Sequence, residues 1–155
     1  MNPNPWYITG LVEGEGSFSV SFTLRKKLNV GIETRPSFSI TLNRRDLDLL
    51  KMIHQYFQCG AIRYSKSDRC YKYEVRSVAD LVKSINPHFE KYSLKGTKAK
   101  DFEIFRELCL MIHQNLHLNS DYLEKIIESA YTMNPSGKRK HEKWKLLRVL
   151  GKVKG

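Results

Sequence analysis

From Gly16 onward, apolar and polar residues alternate singly: Phe18, Val20, Phe22 and Leu24 against Ser17, Ser19, Ser21, Thr23 and Arg25. A period of two marks a strand with one buried face. Residues 33–42 repeat it, with Phe38, Ile40 and Leu42 on one side and Arg35, Ser37, Ser39 and Thr41 on the other. The stretch between reads as a basic loop with Asn29 and Gly31 near its tip. A second strand pair is predicted at 61–66 and 69–76 around a turn at Ser67-Asp68, where Tyr71, Tyr73 and Val75 alternate with Cys70, Lys72, Glu74 and Arg76.

Helical spacing fills the rest. A short helix is expected over 3–14, with Asn4 as N-cap and Pro5 in the first turn, broken by Gly14 and Gly16 around Glu15. Asn43 starts another, with Leu50, Ile53 and Phe57 as its stripe and Gly60 past its end. Ser77 and Asp80 resemble a capping box opening a helix with Leu81, Val82 and Ile85 that stops before Pro87. Phe102, Phe105, Leu108, Cys109, Ile112 and Leu116 mark a long helix from about Thr97. Another starts near Asn119 or Ser120 with Leu123, Ile126, Ile127 and Ala130 inward, and a last one carries Trp144, Leu147 and Leu150. The order is helix, two strands, helix, two strands, then helices: an α+β domain spanning 1–155.

Charge narrows the partner. The 155 residues carry 27 Lys+Arg against 16 Asp+Glu, a net +11, which favours a polyanion. No apolar run approaches the ~18 residues of a membrane span, and no secretory signal is evident, so no membrane association is expected. Cys59, Cys70 and Cys109 are odd in number and widely spaced, which points away from disulfides or thiolate zinc and towards a reducing, intracellular setting. His113 and His117 are four apart but lack a third ligand, so they read as a packing or solvent face. Nucleoside triphosphate loops are absent.

One antiparallel sheet built from the four strands buries its aromatic side and turns the polar side outward. Ser19, Ser21, Thr23, Arg25, Lys27, Arg35, Ser37, Ser39, Arg63, Ser65, Lys72 and Glu74 are the candidate DNA contacts, because a two-stranded ribbon fits the major groove of B-DNA. Lys138, Arg139 and Lys140 are candidate backbone contacts.

The segment ITGLVEGEGSF (8–18) carries the chemistry. Gly10 and Gly14 lie on one helix face and permit close approach of a second backbone. Two such helices related by a two-fold axis would bring two Glu15 carboxylates together, an oxygen-rich site suited to Mg²⁺. Paired metals of this kind cut phosphodiesters.

This segment resembles the LAGLIDADG motif of the LAGLIDADG homing endonucleases, as do Pro5-Trp6-Tyr7 before it and HFEKYSLKGTK (88–98) later, where relatives often read HFdkYPLxxxK. The resemblance implies an αββαββα fold with a saddle-shaped antiparallel sheet and C-terminal helices. It further implies a single-motif, homodimeric enzyme making a double-strand cut in a long, partly palindromic site. The family's metal-binding acid falls on Glu15, with the Gly14 carbonyl as a second ligand and Mg²⁺ as the ion (Mn²⁺ or Ca²⁺ as stand-ins). Its active-site lysine falls on Lys98, with Lys95 as the alternative. Trp6, Thr9, Gly10, Glu13 and Gly14 form the expected dimer interface, Glu13 also serving the helix end. Departures are Glu for the commoner Asp, Ser93 for Pro, and Leu42 with Asn43 where some members place a water-orienting Gln. An intron-RNA maturase or DNA-binding regulator with the same fold is the alternative, with intron RNA as a further partner. Prokaryotic cytoplasm or an organelle is the expected location.

Overall fold

Asn4 opens the first helix: its side chain accepts the Trp6 amide at 2.9 Å, and Pro5 sits where a missing N–H costs no bond. The computed structural model describes residues 2–134 and 139–152. In it α1 is Pro5–Glu15, followed without a loop by β1 (Gly16–Leu24) and then β2 (Ile32–Asn43). A 3₁₀ turn (Arg44–Asp46) leads into α2 (Leu47–Phe57), then β3 (Ala61–Ser65) and β4 (Cys70–Val75). The expected start at Asn43 is refined here: Asn43 caps the 3₁₀ turn by accepting the Arg45 amide at 3.0 Å, and α2 begins four residues later, at Leu47.

The strands form one antiparallel sheet in the order β1-β2-β4-β3. Its inner face presents Phe18, Val20, Phe22, Ile32, Phe38, Ile40, Tyr73 and Val75, all buried under the helices. Phe18 is the hub, with the rings of Phe38, Phe89, Phe102 and Phe105 centred 5.2–5.4 Å from its own.

Contrary to the expected stop before Pro87, the chain stays helical through α3 (Val78–Asp80), a π stretch (Leu81–Ile85) and α4 (Asn86–Lys91). The Asn86 amide bonds Leu81 O, five residues back. The ladder therefore changes register just where Pro87 has no N–H to offer, and proline falls in the first turn of α4, where it is tolerated. α5 (Lys98–His113), a 3₁₀ turn (Leu116–Leu118), α6 (Ser120–Ala130) and α7 (Lys143–Val149) complete the chain. α7 buries Leu146 and Leu147, and Trp144 is 46% exposed. No described helix is long and apolar enough to cross a membrane.

β1 is an edge strand, and the C-terminal segment covers it. The Asn134 amide donates to Phe18 O at 2.8 Å, and the Arg139 guanidinium donates to Val20 O and Ala130 O. The Phe18 and Val20 carbonyls are thus occupied and unavailable for pairing with another chain.

Candidate functional site

α1 buries Ile8, Thr9 and Val12 and ends at Glu15. A Cβ on Gly16 would lie 2.5 Å from Val12 Cγ1. Only glycine lets the strand leave the helix this tightly, so Glu15 is held, exposed, at the junction of helix and sheet. Two neighbours fix this corner from the far end of the motif pair. The Glu13 carboxylate accepts the Lys95 and Gly96 amides at 2.8 and 2.9 Å. Lys98 Nζ donates to Val12 O and Glu13 O at 3.0 and 2.9 Å. These are carbonyls of the last helical turn, which has the negative end of the helix dipole, and an ammonium there is stabilising. Of the two candidate lysines, Lys98 reaches the helix end, whereas Lys95 Nζ lies 6.0 Å from the centre of the Trp6 ring.

The donors at this corner are hard oxygens: the Glu15 carboxylate and the Gly14 carbonyl, both on exposed residues. Such a pair fits Mg²⁺ or Ca²⁺, which take oxygen ligands, and Mg²⁺ usually keeps several waters. Among the described residues no cluster of three or more His, Cys, Asp or Glu stands ready to enclose a metal, so one chain alone offers an open, partial site. Leu42 is buried in the core, and the Asn43 carboxamide oxygen accepts from the Arg45 amide and Nε while its NH₂ group stays exposed.

Behind the corner lies a directed hydrogen-bond chain. Thr9 Oγ1 donates to Tyr92 O at 2.9 Å and therefore accepts from His88 Nε2 at 3.0 Å; Tyr56 then donates to His88 Nδ1 at 2.9 Å. Burial holds the His88 imidazole down to about 4, so it is neutral in the folded protein. The unfolded chain, with an ordinary value near 6.5, binds a proton more readily between those limits. Stability is accordingly full above pH ~6.5 and falls as pH drops towards ~4, by about 2 kcal/mol after allowance for partial solvent screening. Urea unfolding at pH 7 and 4.5 measures this loss; an equal loss in His88→Gln would assign it to another group. The same contacts correct one expectation: Thr9 is 4% exposed and bonded within its own chain, so it is not an interface residue. Glu13 likewise uses its carboxylate internally. What α1 leaves open is Trp6 and Tyr7, 51% and 52% exposed, with Gly10 and Gly14, whose Cβ positions meet nothing within 4 Å.

The outer sheet face is polar as expected. Strand register aligns Ser19 with Ser37, Ser21 with Arg35, and Thr41 with Lys72 and Arg63. Ser17, Ser19, Ser21, Thr23, Ser37 and Ser39 line a groove of about 310 Å³, flanked by Arg35, Lys72 and Arg76. Two carboxylates thread the cations. Hydrogen bonds from Arg35 and then Arg25 hold Glu33 below the usual carboxylate range. Partial burial pushes Glu74 up, but the Ser37 hydroxyl at 2.6 Å together with Lys72 and Arg76 outweighs it, and Glu74 is held low. Glu33 also belongs to this face, opposite Thr23; continuing the alternation one step before Arg35 finds it. Lys27 is exposed in the β1–β2 turn and Lys140 near the C-terminus, while Ser65 is tied to Asp68 at 3.1 Å. Arg139 is partly buried: its guanidinium bonds the Val20 and Ala130 carbonyls and stacks 4.6 Å from the Tyr131 ring, beside Ser17, Ser19 and Ser21. Lys138 lies outside the described residues.

Known proteins share both this fold and this sequence pattern. The chain is 35% identical to a probable intron-encoded DNA endonuclease of Mycosarcoma maydis over 89% of its own length and 49% of that protein's. It therefore spans about half the length of that relative, and less of others from Neurospora crassa. It superposes on the homing endonuclease I-TnaI with a TM-score of 0.84 and 31% identity, covering 99% of this chain and 100% of that one. It also superposes on the I-SmaMI LAGLIDADG homing endonuclease bound to cleaved DNA, with a TM-score of 0.87 and 31% identity over 96% of this chain and 48% of that one. I-SmaMI is also known on uncleaved DNA in the presence of calcium ions. The LAGLIDADG endonuclease family model matches residues 8–109, from the middle of α1 into α5, and the chain belongs to that family.

Proposed function

We propose that this protein is a homing endonuclease that lays its sheet on double-stranded DNA and hydrolyses both strands. Glu15 and the Gly14 carbonyl would hold Mg²⁺, with Lys98 beside them. The observation that carries this reading is the corner itself. An exposed carboxylate ends α1, an ammonium is fixed on the carbonyls of the same turn at 3.0 and 2.9 Å, and a groove of hydroxyls and guanidinia begins two residues on, at Ser17. A protein that only bound nucleic acid would gain nothing from a carboxylate facing phosphates. When bound, the metal supplies a Lewis acid that activates water and stabilises the leaving oxygen. Lys98 keeps a positive charge at the place where phosphodiester cleavage builds negative charge.

One motif acid per chain cannot serve two strands, so we place a second copy against the open face of α1. Two-fold symmetry then implies a site whose half-sites mirror each other. Incubating the protein with a random duplex library and Mg²⁺, then sequencing the ends, tests the reading. Discrete double-strand ends are expected; bound but intact DNA would overturn it.

Arg63, exposed on the outer face and without a hydrogen-bond partner among the described residues, is placed to read a base. Arg63→Ala should relax preference at one symmetric pair of positions by ~1–3 kcal/mol. Selected-site sequencing of the variant checks this, and uniform weakening at all positions would reassign Arg63 to phosphate.

A further inference from the structure

β2 outruns its neighbour. It pairs with β1 over Ile32–Ile40 but with β4 only over Phe38–Asn43, so residues 32–37 have no strand on the β4 side. The C-terminal end of α5 and the turn after it close over that free edge and leave a recess of about 590 Å³. Thr34, Arg35, Arg76, His113, Asn115 and His117 supply its polar lining.

Three features make the recess a site for an anion. Arg35 and Arg76 also line the outer groove, so the recess opens off the flank of the sheet's polar face. Each arginine is held through Nε, Arg35 on Glu33 at 3.1 Å and Arg76 on Glu74 at 3.2 Å. The guanidinium ends stay half exposed and have no hydrogen-bond partner among the described residues. His117 Nδ1 is buried without a partner; an orphan acceptor is tolerated better than an orphan N–H, which places the proton on Nε2 as a donor. The carboxylates nearby, Glu33 and Glu74, are both committed to cations.

We propose that this recess takes one backbone phosphate of the nucleic-acid strand running along the flank of the sheet, held by Arg35, Arg76 and His117. The proposal rests on the nucleic-acid reading above. It adds a contact from the 3₁₀ turn after α5, outside the sheet.

Nitrogen-detected NMR of the His117 ring tests it, with inorganic phosphate alone and with a mixed-sequence duplex, while the Ser19 and Ser39 amides report the sheet. Phosphate is expected to shift the His117 ring, and the duplex to shift the same signals and displace phosphate. Arg76→Gln or Arg35→Gln, each on the surface and each leaving the His117 reporter in place, should weaken phosphate about tenfold. A ring indifferent to phosphate overturns the site. Phosphate binding that the duplex does not displace, with the sheet amides still moving, means a free anion is the occupant; this overturns the inference and leaves the proposed function standing. A duplex that moves neither His117 nor the sheet overturns both.

Discussion

Glu15→Gln is expected to leave DNA held and uncut. Glu15 ends α1, is exposed, and makes no hydrogen bond among the described residues, so the amide, nearly identical in shape, disturbs no packing. A carboxylate at the negative end of a helix dipole costs about 0.3–1 kcal/mol, and the amide removes that cost; the variant should unfold at the same temperature or slightly higher. Binding in metal-free buffer should stay within about threefold or tighten, because a negative charge facing phosphates has gone. Cleavage should fall by at least ~10³-fold, because a neutral carboxamide is a poor ligand for Mg²⁺ and the charge that recruits the ion is lost. Gel assays of bound and nicked duplex separate these effects. Cutting at the wild-type rate would remove Glu15 from the chemistry, and loss of binding with loss of cutting would make it a structural residue.

Glu15 was legible in the sequence because its neighbourhood is local. Asn4, Pro5 and Gly16 mark both ends of one helix, and the alternation that begins at Ser17 fixes which side chains share the outer face. The same alternation placed Arg35, Lys72 and Arg63 correctly. Contacts made across the chain were not legible. Thr9 has the small polar side chain an interface helix favours, yet its partners, His88 and Tyr92, are 79 and 83 residues away. Arg139 sits in a basic run that reads as solvent-facing, yet it reaches the carbonyl of Val20, 119 residues away. Lys95 and Lys98 differ by three residues, and spacing alone cannot rank them. α5 begins at Lys98, which places that side chain on the end of α1, while the backbone of Lys95 is occupied by Glu13. Pro87 misled for a local reason: a π stretch shifted the hydrogen-bond register so that proline met a fresh first turn.

Gly10→Leu should separate folding from assembly. In the free chain a Cβ at Gly10 meets nothing within 4 Å, and leucine is the better helix former by ~0.8 kcal/mol, so the single chain should fold with equal or greater stability. If a second α1 packs across Gly10 and Gly14, the added isobutyl group forces the axes apart at their closest point, where glycine lets backbones meet. Such overpacking costs about 1–3 kcal/mol for each misfitting side chain. Two-fold symmetry applies it twice, so association should weaken by at least ~30-fold. Cleavage should fall with it, because each chain then carries its single Glu15 alone, while Trp6 and Tyr7 remain exposed. Sedimentation velocity across a concentration series, beside a thermal melt, reads both quantities. A variant that is monomeric, well folded and unable to make double-strand cuts fits this arrangement. A Gly10→Leu protein that sediments like the wild type and cuts both strands would show that the partner surface lies elsewhere on the molecule.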